Sequence, residues 1–238
     1  PSIVLDRDWT EWMPIQFYVI EHPQGVTVFD TGETARVHRS GYFDCRPGNE
    51  WFYRNQLRFA VRPEDELGPQ LQLIGLDAAK VKWAVLSHLH SDHMGGMYHL
   101  TNAEFLISAR DWMGHQGDVR CQIPAWVEPT LVEYRDGPFG AFDRSHRVDE
   151  QGTLRVVSTP GHTEGHQSLI LIDQDTYYFF AGDVVFDLER LKEGKAVAGV
   201  AENIGAARVS IEKVVKQMQQ FRTILAPSHD HGVREGRF

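Results

Sequence analysis

The chain has 238 residues, 42% of them hydrophobic and 24% charged, with a net charge of −9. That length suits one large α/β domain over 1–238, and the composition excludes disorder, collagen-like repeats and coiled coil. The acidic balance argues against a nucleic-acid partner, and no run of 18 apolar residues is present to cross a membrane as a helix.

No basic segment precedes an apolar stretch at residues 1–6, so no leader is expected and the location is read as cytoplasmic. That location is provisional, because the chain does not begin with Met. Apolar runs at 15–20 and 26–29 flank His22-Pro23-Gln24-Gly25 and predict a hairpin. Residues 33–62, with Trp51-Phe52-Tyr53 and Phe59, fit no simple period. Pro63-Glu64-Asp65-Glu66 predicts a helix start, with Leu67, Leu71 and Ile74 facing inward. Strands are predicted at 81–86, 104–107, 154–157, 168–172, 177–180 and 224–226. Asp173-Gln174-Asp175 supplies a turn, and Pro227 stops the last strand. Residues 114–148, with Trp126, Phe139 and Phe142, form a second irregular stretch. Aromatic residues in these two stretches either form local core or wall a substrate pocket. Ile211, Val214, Val215, Met218 and Phe221 predict a helix packed on a sheet, with Gln217 on its outer face. Cys45 and Cys121 lie in no CxxC and are read as two unpaired structural thiols.

The chemistry is concentrated in the histidines. His88-Leu89-His90-Ser91-Asp92-His93 follows a predicted strand directly, and Gly95-Gly96 after it permits a tight turn. His88 and His90 are two apart, so an extended strand end projects them the same way. With 12 His in the chain, a composition-matched sequence shows this spacing roughly 0.002 times, so chance is set aside. Imidazole and carboxylate are ligands of zinc and related divalent metals. Further candidates stand just past other strands: His162 and His166, Asp183, and His229 with His231. Open α/β sheets place their sites at such strand ends. His22, His38, His99, His115 and His146 are read as surface or packing residues.

Asp30-Thr31-Gly32, the HxHxDH run at 88–93, His162, Gly182-Asp183 and His229 together resemble the metallo-β-lactamase-fold hydrolases over nearly the whole chain. The resemblance implies an αββα sandwich, two mixed β-sheets flanked by helices, with a dinuclear site. By position, one metal would take His88, His90 and His162, the second Asp92, His93 and His229, and Asp183 would bridge them. Asp30 would orient a ligating His, and His166 would either support the ligands or merely neighbour them. Zinc is the foremost expectation for both ions, with Fe, Co or Mn as alternatives. The implied reaction is hydrolysis by a metal-bridging hydroxide, with Asp92 passing a proton to the leaving oxygen.

Among these hydrolases, the segments Gly161-His162-Thr163-x-Gly165-His166-Gln167-Ser168-Leu169 and Ser87-His88-Leu89-His90-x-Asp92-His93-x-Gly95-Gly96 look like the N-acyl-homoserine lactone lactonases, the quorum-quenching members. A small lactone or ester is then the expected partner. Trp9, Trp12, Met13, Trp51, Phe52 and Phe59 are candidate walls for an acyl chain. Many of these lactonases carry a Tyr three residues after the bridging Asp, where this chain has Phe186. Phe186 lacks the phenol and would only line the pocket. Another lactone, a thioester as in glyoxalase II, or a phosphotriester are alternative substrates, and a non-catalytic metal-binding scaffold is the alternative of a different class. Exposed aromatics in 33–62 suggest a homodimer interface.

Overall fold

A computed structural model describes residues 11–114, 117–192 and 201–232. The first hairpin forms as the sequence predicts: β1 (Tyr18–His22) pairs antiparallel with β2 (Gly25–Phe29), closing at His22 and Gly25 around Pro23-Gln24. Helix α1 (Asn49–Gln56) carries Trp51-Phe52-Tyr53 inside the stretch read as irregular. Helix α2 (Leu67–Leu73) begins later than predicted. Pro63–Asp65 is a separate turn closed by the Asp65 carboxylate, which accepts from the Arg62 backbone N–H at 2.9 Å. Leu67 and Leu71 point inward as expected, whereas Ile74 lies past the helix end and is exposed.

Next come β3 (Val81–Val85), α3 (Ser91–Met94), β4 (Glu104–Ser108), α4 (Ala109–Trp112), β5 (Thr130–Val132) and β6 (Ser145–Arg147). The chain continues through β7 (Leu154–Ser158), β8 (Gln167–Asp173), β9 (Thr176–Gly182), α5 (Leu188–Lys192), α6 (Ile204–Gln220) and β10 (Thr223–Pro227). Two five-stranded mixed sheets result, in the orders β1-β2-β3-β4-β5 and β10-β9-β8-β7-β6. In the first, only the β1/β2 pair is antiparallel; in the second, only the β10/β9 pair is parallel.

The continuous apolar runs have a reason: most of these strands are buried on both faces, and side chains alternate between them. Phe29, Trp83, Val85, Leu106, Val156, Leu169 and Phe180 meet in the layer between the sheets. Their neighbours Val28, Ala84, Phe105 and Ile107 turn the other way, onto the side carrying Tyr53, Leu67 and Leu71 of α1 and α2. Val157, Ile170 and Phe179 face Val214 of α6. The layers therefore run helix, sheet, sheet, helix.

The predicted C-terminal helix exists, but its buried face is rotated. Ala207, Ser210, Val214 and Gln217 are inside, and Met218 is 40% exposed. Gln217, expected outside, is fully buried because its side-chain oxygen accepts from the Ala141 backbone N–H at 2.8 Å. A loop donor with no strand partner is satisfied there at the expense of an apolar contact. The cysteines also depart from expectation. Cys45 and Cys121 form a disulfide with a Cα–Cα distance of 5.3 Å. Their segments are already held together: Asn49 Nδ2 donates to Asp118 O, the Tyr53 hydroxyl to Gly117 O, and Gln122 Nε2 to Tyr42 O. Among the described residues no helix is long and apolar enough to cross a membrane.

Candidate metal centre

Strand ends from both sheets converge on one place. The β3 end delivers His88 and His90, and α3 directly after it delivers Asp92 and His93. The loop after β7 delivers His162, the end of β9 Asp183, and the end of β10 His229. The ring nitrogens of His88, His90 and His162 lie 2.8–3.1 Å from one another. Across from them, Asp92 Oδ2 lies 3.6 Å from His93 Nε2 and 3.7 Å from His229 Nε2. Asp183 reaches both groups: Oδ1 is 3.2 Å from His93 Nε2 and from His229 Nε2, and Oδ2 is 3.3 Å from His162 Nε2.

Hydrogen bonds behind the rings decide which nitrogens face inward. Asp30 directly follows β2 with φ 59°, an uncommon setting for a residue with a side chain, and is fully buried. Its carboxylate accepts from the Ser87 backbone N–H at 2.7 Å, the Ser87 hydroxyl at 2.9 Å and His93 Nδ1 at 2.8 Å. With its proton given to Asp30, Ser87 Oγ is left to accept from His88 Nδ1 at 2.9 Å. His229 Nδ1 donates to Pro14 O at 2.8 Å. His88, His93 and His229 therefore turn Nε2 toward the centre, the orientation that metal-binding imidazoles take.

Burial and mutual proximity hold His88 and His162 well below the usual imidazole range. Burial disfavours charge on His93 and His229 as well, but Asp183 and its acidic neighbours outweigh it and raise both. Burial works against the Asp183 carboxylate, and His93, His229 and His162 overcome it and hold it well below the carboxylate range. His93 Nε2 and Asp183 Oδ1 face each other without making a hydrogen bond, and both are buried. Imidazole nitrogens and carboxylate oxygens crowded together, some of them buried without a hydrogen bond, are what divalent cations would satisfy, so this donor set fits metal.

His166 supports the centre from below. Its Nδ1 donates to Thr159 O at 3.1 Å, and its Nε2 accepts from the Asp183 backbone N–H at 2.9 Å. A neutral ring is needed to accept there, and burial holds its pKa down to about 3. Of the expected wall residues, Phe186 lies against the site, its ring centroid 5.8 Å from that of His162 and 5.0 Å from that of His229. Trp12 and Met13 are exposed, next to Pro14 in the chain, and Trp51 is exposed on α1. Phe52 and Phe59 pack against the core beneath the first sheet, so they serve that core. Trp9 and His115 lie outside the described residues. His22 and His99 contact Asp149 and Glu66, away from the centre, and His231 is exposed.

Sequence reasoning gave no role to Ser87 or Pro14. Ser87 stood in the histidine motif without a role, and Pro14 acts through its backbone carbonyl, which no side-chain pattern reports.

A family model described as the metallo-beta-lactamase superfamily matches residues 10–229. An N-acyl homoserine lactonase, AttM, from Agrobacterium fabrum is 28% identical over 92% of this chain and 82% of its own length. The N-acyl homoserine lactonase of Bacillus thuringiensis is 21% identical with the same coverage. Among solved structures, an N-acyl homoserine lactone hydrolase with N-hexanoyl-L-homoserine at its catalytic metal centre superposes with a TM-score of 0.78 at 21% identity, over 97% of this chain and 87% of that one. A dizinc quorum-quenching lactonase, AidC, gives 0.67 at 15% identity, over 92% and 73%.

Proposed function

The chain belongs to the metallo-beta-lactamase superfamily, and we propose that it is a dinuclear metal-dependent hydrolase that opens N-acyl-homoserine lactones. The observation that carries this reading is the Asp183 carboxylate, with one oxygen toward His93 and His229 and the other toward His162. His88, His90 and His162 would hold one divalent ion and Asp92, His93 and His229 the other, zinc foremost. Such a pair, when bound, lowers the pKa of a shared water and polarises a carbonyl.

The chain's own residues have the remaining work. Asp30, through Ser87, His93 and His88, fixes the direction of the ring lone pairs. Asp92 has a side chain 25% exposed, and so sits where a carboxyl could pass a proton to the ring oxygen that leaves. Phe186 covers His162 and His229 with an apolar ring, keeping water off that side but offering the carbonyl no donor.

The test is acid release from short- and long-chain N-acyl-homoserine lactones by purified, metal-quantified protein, with and without chelator. Chelator-sensitive turnover is the expected result. No turnover with two equivalents of metal bound would reject this substrate and turn the search to other lactones, thioesters and phosphotriesters. Phe186→Tyr is expected to raise kcat/KM for lactones up to about tenfold, a fraction of what one well-placed donor contributes. An unchanged kcat/KM would mean that the position serves packing alone.

A further inference from the structure

Three of the ring ligands have a hydrogen-bonded partner on the nitrogen away from the centre: His88 on Ser87, His93 on Asp30 and His229 on Pro14. His162 differs. Its Nε2 points into the centre, and among the described residues its buried Nδ1 has no hydrogen-bond partner. With no hydrogen bond holding the ring from behind, its aim depends on packing and on its backbone, and that backbone is gripped from two sides. On one side the Asn203 N–H donates to Gly161 O at 3.0 Å and the Glu202 N–H to His162 O at 3.1 Å. Gly161 also lies so close to α6 that a Cβ there would sit 2.2 Å from the Ala207 backbone nitrogen.

The other side is Asp111, a carboxylate 1% exposed on α4. Asp111 Oδ1 accepts from the Thr163 hydroxyl at 3.0 Å and from the Gly165 backbone N–H at 2.9 Å. Thr163 O in turn accepts from the Gly161 N–H at 2.9 Å, closing the loop around His162. The approach at Gly165 is tight, since a Cβ there would lie 2.4 Å from Asp111 N and Oδ1. Asp111 Oδ1 thus ties the Thr163 side chain and the Gly165 backbone to one buried atom.

We propose that Asp111 is a positioning residue for the metal centre, aiming His162 by fixing the 163–165 turn that follows it. The proposal rests on the metal-site reading above, and its test separates the two. Wild type, Asp111→Ala, Asp111→Asn and Thr163→Val are loaded with zinc, and retained metal is measured against a graded competing chelator. Thermal unfolding checks that each variant is folded. Asp111→Ala is expected to lose affinity by about 10- to 100-fold for one of the two equivalents, the range typical for partners that orient a ligand. Asp111→Asn keeps an oxygen where Oδ1 stands, and is expected to stay within about threefold of wild type. Thr163→Val should fall between them, and it decides the matter if Asp111→Ala does not fold. Wild-type affinity in folded Asp111→Ala, or in Thr163→Val where that variant decides, would overturn the positioning role. A wild-type protein that retains no zinc would overturn the metal-site reading, and this role with it.

Discussion

Asp183→Asn is expected to lower kcat/KM for lactone opening by on the order of 10³-fold or more while leaving the chain folded. The two oxygens of Asp183 face different imidazole groups, at 3.2 Å and 3.3 Å. An amide puts N–H donors where one of those lone pairs stood and removes the negative charge between three histidines. The fold has less to lose. The backbone N–H of residue 183 still donates to His166 Nε2 at 2.9 Å, and Val184 and Val185 remain in the core beside it. kcat/KM, metal content and the unfolding temperature, measured together, check the expectation. A loss of that size corresponds to about 4 kcal/mol of transition-state stabilisation. Full turnover by the folded variant would sink the dinuclear reading, and so would full turnover by His93→Ala, which removes an imidazole that Asp30 and Asp183 both address.

The candidate donor set was legible because the signal is local. Four candidate donors fall within six residues, and the rest stand just past strands that the apolar runs disclose. The strands were legible because burial on both faces leaves an uninterrupted run such as 168–172, which lies in β8. Where one element depends on distant chain, the signal fades. The strands β5 and β6 have three residues each, too few to show alternation, and exist because longer strands offer them an edge. Gln217 reads as polar surface until the 139–142 turn brings the Ala141 N–H to it. Phe52 and Trp51 are adjacent aromatics with opposite fates, one against the core and one in solvent, and only the position of α1 separates them.

The cysteine pair is the strongest case of a distant contact, and it leads to the second large expected effect. Removing the Cys45–Cys121 bond, by reduction or by the double variant Cys45→Ala/Cys121→Ala, is expected to lower stability by about 4 kcal/mol. That is the chain-entropy value for a loop as long as the 76 residues it closes. In a chain of this length it amounts to a fall of about 10 °C in the unfolding temperature. The effect should be concentrated where the bond acts. It joins 42–57 to 117–122, and Gly117 lies against His90, where a Cβ would approach Nε2 to 2.9 Å. Proteolysis in these two segments should speed up before the sheets open, because the sheets hold their own core. Cys121 is exposed, so a phosphine reductant can reach it, and a phosphine avoids the metal binding of a thiol reductant. Wild type should lose stability on reduction while the double variant, already low, does not respond. An equal unfolding temperature with and without reductant would remove the bond from the account. A bonded pair suits an oxidising compartment better than the cytosol, which weighs against the cytoplasmic location read from the sequence. In a reducing compartment the same contacts from Asn49, Tyr53 and Gln122 would have to hold the 117–122 segment against His90 unaided.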